Sequence, residues 1–307
     1  MKKASILLVL ALLIGFPVLA QEVEEPRNVK EDPEDMVESG PGTAKQESDK
    51  LYNFGININY WDSSYLGDIE VRNESELPGF GSLVFGEEAS LEDDFGLDTG
   101  VPIIEPEIWF SPSKKHRVIL SWFQVFYEGE ETQDQPLEFG GYAFAANSEI
   151  STDFRIDRWR ILHEWTPLMA DYGKLGINYG IEYYFWRMDY EGYAETGAPG
   201  VTKKVSGTEV TPIFIPTVGI SGALEFGYGL GLFGRFSGIA FSYEDWEASY
   251  TDFEGGAKFD YKNLHFSVGY RVLTSDFEGE EDEGGEKFKI DWHTSHEGFL
   301  ATLGVRF

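Results

Sequence analysis

The chain has 307 residues, 24 Lys and Arg against 54 Asp and Glu for a formal net charge of −30, 35 glycines and no cysteine. An anionic surplus on this scale repels phosphate backbones and excludes a general nucleic-acid binder. The missing cysteine removes disulfides, thiolate metal sites, Cys nucleophiles and the lipidated cysteine of a lipoprotein anchor. Disordered acidic chains are poor in aromatics, whereas 24 Phe, 16 Tyr and 8 Trp make this one 16% aromatic, so much of it is packed or held against lipid.

Residues 1–20 read as a secretory signal peptide: Lys2 and Lys3, an apolar run from Ile6 to Ile14, then Val18-Leu19-Ala20 before Gln21. The run is short for a membrane helix and is broken by Gly15 and Pro17. Residues 21–50 carry ten acids and four bases with almost no apolar content. Such a segment cannot offset its ordering entropy and is expected to be a disordered acidic leader.

From residue 51 onward, segments of roughly ten residues alternate in character, as the strands of a transmembrane barrel do. Tyr52, Phe54, Ile56, Ile58 and Tyr60 alternate with Asn53, Gly55, Asn57 and Asn59; Leu175, Ile177, Tyr179 and Ile181 alternate with Gly176, Asn178, Gly180 and Glu182. Ten such segments are expected, near 51–61, 101–111, 116–127, 150–166, 174–190, 209–223, 228–243, 248–260, 264–275 and 287–307. Tight turns at 112–115, 167–173, 224–227 and 261–263 alternate with connections at 62–100, 128–149, 191–208, 244–247 and 276–286, four of them long. Short periplasmic turns, long external loops and an even strand count place both termini in the periplasm. The fold class expected for 51–307 is all-β, a transmembrane antiparallel up-and-down β-barrel of about ten strands, with eight or twelve as alternatives because 67–86 has room for an extra external hairpin. A soluble secreted β-sandwich binding protein would show the same periodicity with its apolar face turned inward. Aromatics at the ends of the apolar faces favour lipid, where they form interfacial girdles. The aromatic content as a whole is read as lipid-facing rows and girdles rather than a large core.

The acids are concentrated in the connections: 62–100 has eleven and one base, and 276–286 has seven and none. Clustered carboxylates there suggest weak association with divalent cations, shared with lipopolysaccharide phosphates; the twelve-residue EF-hand spacing is absent, and no cofactor or defined metal site is expected.

The final strand alternates Phe299, Ala301, Leu303, Val305 and Phe307 with Leu300, Thr302, Gly304 and Arg306. It resembles the closing strand of bacterial outer-membrane barrels, in which a terminal Phe is read by the barrel assembly machinery; Phe299, Leu303, Val305 and Phe307 are the assembly signal this implies. Leu91-Glu92-Asp93-Asp94-Phe95-Gly96-Leu97-Asp98, then Val101-Pro102-Ile103-Ile104-Glu105, then Ser111-Pro112 leading to His116-Arg117-Val118 is similar to a family of proteobacterial outer-membrane β-barrel proteins. Its members share an acidic DLGL-like lead-in, a strand, a tight turn and a second strand opening on His-Arg. Phe95 stands where that pattern has Leu. The resemblance spans most of 51–307 and implies fold and outer-membrane location. It carries no activity and no catalytic residue.

Aligning the strands by their apolar faces puts Glu105, Glu107, Arg158, Arg160, Glu164, Glu182, Arg235, Asp252, Glu254, Lys258, Arg271 and Arg306 in the lumen. Both signs are present in comparable number, which suits a salt-bridged plug or a narrow passage. Barrels of about eight strands are just filled by side chains, so ten strands favour the plug, while small lumenal residues such as Gly55, Gly176, Gly180 and Gly269 leave room for a narrow pore. The rival class is a barrel-embedded hydrolase, a protease or lipid-modifying enzyme, which needs an oriented imidazole. Of His116, His163, His265, His293 and His296, the first and third fall at periplasmic turns and His163 faces lipid. Asp291-Trp292-His293 places two ionisable groups on one strand face, as in a surface protease of the omptin kind. Nothing else of that pattern is present, so the expectation is a non-enzymatic barrel, structural or a narrow-solute channel, with outer-membrane lipid, lipopolysaccharide and the assembly machinery as partners.

Overall fold

The computed structural model describes residues 53–77, 81–85, 88–139, 142–195, 201–243, 246–283 and 286–307; the signal peptide and leader lie outside them. Fourteen strands follow in order: β1 Phe54–Leu77, β2 Gly81–Phe85, β3 Glu88–Ser90, β4 Pro102–Ser113, β5 His116–Thr132, β6 Leu137–Phe139, β7 Tyr142–Phe144, β8 Glu149–Ala170, β9 Gly173–Glu195, β10 Thr202–Gly227, β11 Leu230–Tyr243, β12 Trp246–Tyr261, β13 Leu264–Glu283 and β14 Glu286–Arg306. The ten long strands pair antiparallel with their neighbours, and β1 pairs with β14 as well as β4, so the sheet closes into a ring. A closed ring has no unpaired edge, and it replaces the two-sheet sandwich with a barrel. The seam is locked at its base, where Phe307 N donates to Phe54 O at 2.8 Å.

Alternation decides which way each residue points. On β4, Ile103, Glu105, Glu107, Trp109 and Ser111 are buried while Ile104, Ile108 and Phe110 are exposed. The same outward apolar set continues as Ile56, Ile58 and Tyr60 on β1, Trp159 and Ile161 on β8, Phe214, Val218 and Ile220 on β10, and Val268 and Tyr270 on β13. Ile104 is 60% exposed and Val268 63%; a ring of such residues is a belt for hydrocarbon, not a water-facing wall. The connections at the end holding Phe54 and Phe307 are two residues each, Lys114-Lys115, Asp171-Tyr172, Tyr228-Gly229 and Lys262-Asn263. Tyr228 (φ 54°) and Gly229 (φ 82°) both take left-handed backbone, and a Cβ at Gly229 would stand 2.0 Å from Asp260 O, so only glycine fits the second position.

At the opposite end the structure corrects the expected boundaries. Residues 62–77 continue β1, 276–283 continue β13, and 191–195 and 202–208 lie in β9 and β10. Above the belt the outward residues turn polar, as at Asp62, Ser64, Asp153, Arg187, Asp189, Asp276 and His293. The apolar half of the alternation therefore stops while the ladder does not. The room expected in 67–86 is used by β2, which folds back on β1; β3 follows it and also pairs with β1, and neither joins the ring.

The aromatic reading is also corrected. Besides the belt, a second population is buried inside the upper barrel: Trp61, Tyr65, Phe95, Phe123, Tyr127, Phe139, Phe144, Phe154, Tyr184, Trp186, Tyr190 and Trp292 form one apolar cluster. Each buried Phe there contributes roughly 1.5–3 kcal/mol relative to exposure. Period two shows that a residue alternates, not which of two apolar faces meets lipid and which meets a core.

Candidate functional site: the closed lumen

All twelve charged residues placed in the lumen from sequence sit on inward positions, and six meet at one level. Glu105 on β4, Arg158 on β8, Glu182 on β9, Asp252 on β12 and Arg271 on β13, with Arg160 beside Arg158, are each 2% exposed or less. Their contacts both cross the barrel and join neighbouring strands. Arg158 Nη2 reaches Asp252 Oδ2 at 2.9 Å and Glu182 Oε2 at 2.5 Å; Arg271 Nη1 reaches Glu105 Oε2 at 2.5 Å. Asp252 also accepts from Arg271 Nε at 2.9 Å and Nη2 at 2.7 Å, and from Arg160 Nη1 at 3.2 Å. β8 and β12 are not neighbours in the ring, nor are β4 and β13, so Arg158–Asp252, Arg160–Asp252 and Arg271–Glu105 span the lumen, while Arg158–Glu182 and Arg271–Asp252 join adjacent strands. Three guanidinium groups face three carboxylates, which is the balance a buried ionic cluster requires.

Neutral side chains complete the layer, and sequence reasoning had passed over them. Tyr250 OH accepts from Arg158 at 2.9 Å and donates to Glu182 at 2.7 Å; Ser121 Oγ donates to Glu105 at 2.6 Å. Their inward parity was available from the same alternation, but a search for charges skips hydroxyls. Glu107 joins through Arg160 at 3.5 Å and Asn57 Nδ2 at 2.8 Å, and Arg235 pairs with Glu254 at 3.0 Å. Toward the short-turn end the ladder continues as Lys174–Glu164 at 3.8 Å and Lys258–Glu225 at 2.5 Å, with Asp260 held between His265 and Arg306.

Above the ions the lumen is filled with rings. Arg271 lies 4.8 Å from the Trp61 ring centroid, a cation–π contact that joins the two layers. His296 stands 5.7 Å from Trp61 and 4.5 Å from Tyr65, and Trp186 stacks on Trp292 at 4.2 Å. Two connections cap this core. The turn 91–97 brings in Leu91, Phe95 and Leu97, and the β6–β7 hairpin brings in Phe139 and Phe144; Phe95 meets Phe139 edge-on at 4.9 Å, and Gln133 Nε2 donates to Asp94 O at 2.6 Å. Asp94 in that turn and Asp98 just after it serve the local backbone: Asp94 Oδ2 accepts from Ser90 N at 2.7 Å and Asp98 Oδ1 from Gly100 N at 3.1 Å. Among the described residues no group of three or more His, Cys, Asp or Glu is gathered for a metal ion.

Asp291 and His293 do not enter the lumen. His293 is on the outer wall, its imidazole bonded to Asp276 of the adjacent strand. The assembly-signal residues Phe299, Leu303 and Phe307 are exposed on the belt face, and Val305 shares their parity.

Ring, belt and filled lumen define a transmembrane antiparallel β-barrel. Comparison with known proteins agrees at the level of fold. No family model and no curated protein matches the chain. Among solved structures it is similar to the outer membrane protease OmpT from Escherichia coli, with a TM-score of 0.50, 11% identity, and coverage of 85% of this chain and 100% of that one. The translocator domain of the autotransporter NalP from Neisseria meningitidis (TM-score 0.41, 10% identity, 85% and 90% covered) and the Pseudomonas putida toluene transporter TodX (0.37, 10%, 85% and 91%) also match. At these identities the likeness is one of fold, and it is the OmpT match that bears it.

Proposed function

We propose that the chain is an integral outer-membrane β-barrel with a sealed lumen and a structural, non-enzymatic role in the envelope. The observation that carries this reading is the ionic layer: guanidinium and carboxylate groups bond across the barrel at one level, with an aromatic core stacked on it. A ten-stranded ring is near the size that side chains alone can fill. The short turns and the Phe54 and Phe307 ends of the first and last strands then face the periplasm, and the polar strand extensions stand beyond the belt on the opposite side. The partners are outer-membrane lipid and lipopolysaccharide, with carboxylates above the belt such as Asp62 and Asp276 sharing divalent cations with its phosphates. The assembly machinery would read Phe299, Leu303, Val305 and Phe307. Absence of catalysis is supported by the placement of Asp291 and His293 on the outer wall and by the enclosure of His296 among Trp61, Tyr65 and Tyr127. The test is conductance of the refolded protein in planar bilayers: no steady single-channel steps are expected, and a stable ohmic conductance would replace the sealed barrel with a narrow-solute channel.

A further inference from the structure

His116 and His163 play no part in the lumen. His116 opens β5 and His163 lies on β8; Val118 is opposite His163 and His116 opposite Trp165, so the two imidazoles are diagonal neighbours across a paired ladder. Both point outward, since the residues beside them, Arg117 and Glu164, point in. Their side chains are half-buried. The pair sits at the short-turn border of the belt, where Trp165 and Tyr172 mark the interface and water has access.

His116 Nδ1 and His163 Nε2 are 3.1 Å apart, with ring centroids at 5.2 Å. Tyr179 packs on His163 at 4.8 Å and fixes its plane. His163 Nδ1 is buried without a partner among the described residues, so Nε2 is the atom through which this ring makes its polar contact. With metal–nitrogen bonds of about 2.05 Å, a 3.1 Å separation subtends about 98° at a shared ion. That lies between the square and tetrahedral angles. Imidazole nitrogen selects copper, zinc or nickel over calcium or magnesium.

We infer that His116 Nδ1 and His163 Nε2 form a two-imidazole site for a divalent transition-metal ion on the periplasmic rim, with water completing the coordination. The ion binds through two lone pairs: the proton that joins the rings moves from His116 Nδ1 to His116 Nε2, and His163 keeps its proton on Nδ1. Because the ligands come from adjacent strands, occupancy also ties β5 to β8 at the edge of the membrane. This site is separate from the ionic layer, so its failure would leave the sealed-barrel reading untouched.

The test is a Cu(II) titration of the refolded full chain in detergent micelles at neutral pH, read by electron paramagnetic resonance, for the protein and for His116→Gln, His163→Gln and His293→Gln. Each of the first two variants should bind one equivalent fewer, while His293→Gln should retain a signal with two coupled nitrogens. Unchanged stoichiometry in the His116→Gln/His163→Gln double variant overturns the site. Folding of each variant is checked by heat-modifiable gel mobility. Should the rim variants not fold, the His293→Gln spectrum decides: two coupled imidazole nitrogens uphold the site, and one or none overturns it.

Discussion

Replacing Asp252 with alanine tests the lumen directly. Asp252 accepts four charge-assisted contacts, at 2.7 and 2.9 Å from Arg271, 2.9 Å from Arg158 and 3.2 Å from Arg160. At about 1.5–3 kcal/mol for each bond to a charged group, the gross attraction is large, but desolvating the carboxylate offsets most of it. What decides the outcome is the charge left behind: three buried guanidinium groups would face Glu105 and Glu182, with Glu107 reached only by Arg160 at 3.5 Å, and an uncompensated buried charge costs about 3–5 kcal/mol. The assay is urea unfolding in phospholipid vesicles, followed by tryptophan fluorescence, since Trp61 lies over Arg271. Asp252→Asn combined with Arg271→Met restores a two-to-two balance. The double variant should be more stable than the sum of its parts by roughly 0.5–3 kcal/mol. A loss below about 1 kcal/mol for Asp252→Ala, the scale of an exposed ion pair, together with an additive double variant, would refute a dry ionic layer.

The belt and the close strand contacts make two further predictions. Val268→Arg, on the apolar outer face, should cost about 2–4 kcal/mol on folding into bilayers, whereas Ser64→Arg, above the belt, should cost about 0–1 kcal/mol; equal costs in the same urea assay would misplace the membrane. At Gly298 a Cβ would stand 1.8 Å from Asp62 O, while at Gly234 its nearest neighbour is 3.8 Å away. Gly298→Val should therefore give no heat-modifiable folded band on gels and Gly234→Ala should fold as the parent does, with folding of both being the contrary result.

Much of the fold was legible because a barrel strand in lipid carries its pattern in the chain. Ile104 and Glu105, or Ile161 and Arg160, are adjacent residues with opposite solvents, and that contrast is visible without coordinates. It gave ten strands and the inward set from Glu105 to Arg306. It failed above Tyr60, where Asp62 and Ser64 face water on the outside while Ser63 and Tyr65 are packed within. There the outer face no longer reads as apolar, so paired backbone looks like loop. It also missed Ser121 and Tyr250, whose part in the cluster depends on which strands face each other across the ring.

The sequence by itself determined the alternation, the pattern of the closing strand and the near balance of lumenal charge, because each is a local property of residue order. Only the tertiary structure decided that the lumen is crossed, because Arg158 and Asp252 are 94 positions apart and meet only once the ring has closed. Closure likewise divided the aromatics into a lipid belt and an interior core, since inside and outside are properties of the ring and not of any one strand. The same closure assigned the histidines, turning His296 inward among rings and setting His116 beside His163 on the outer wall.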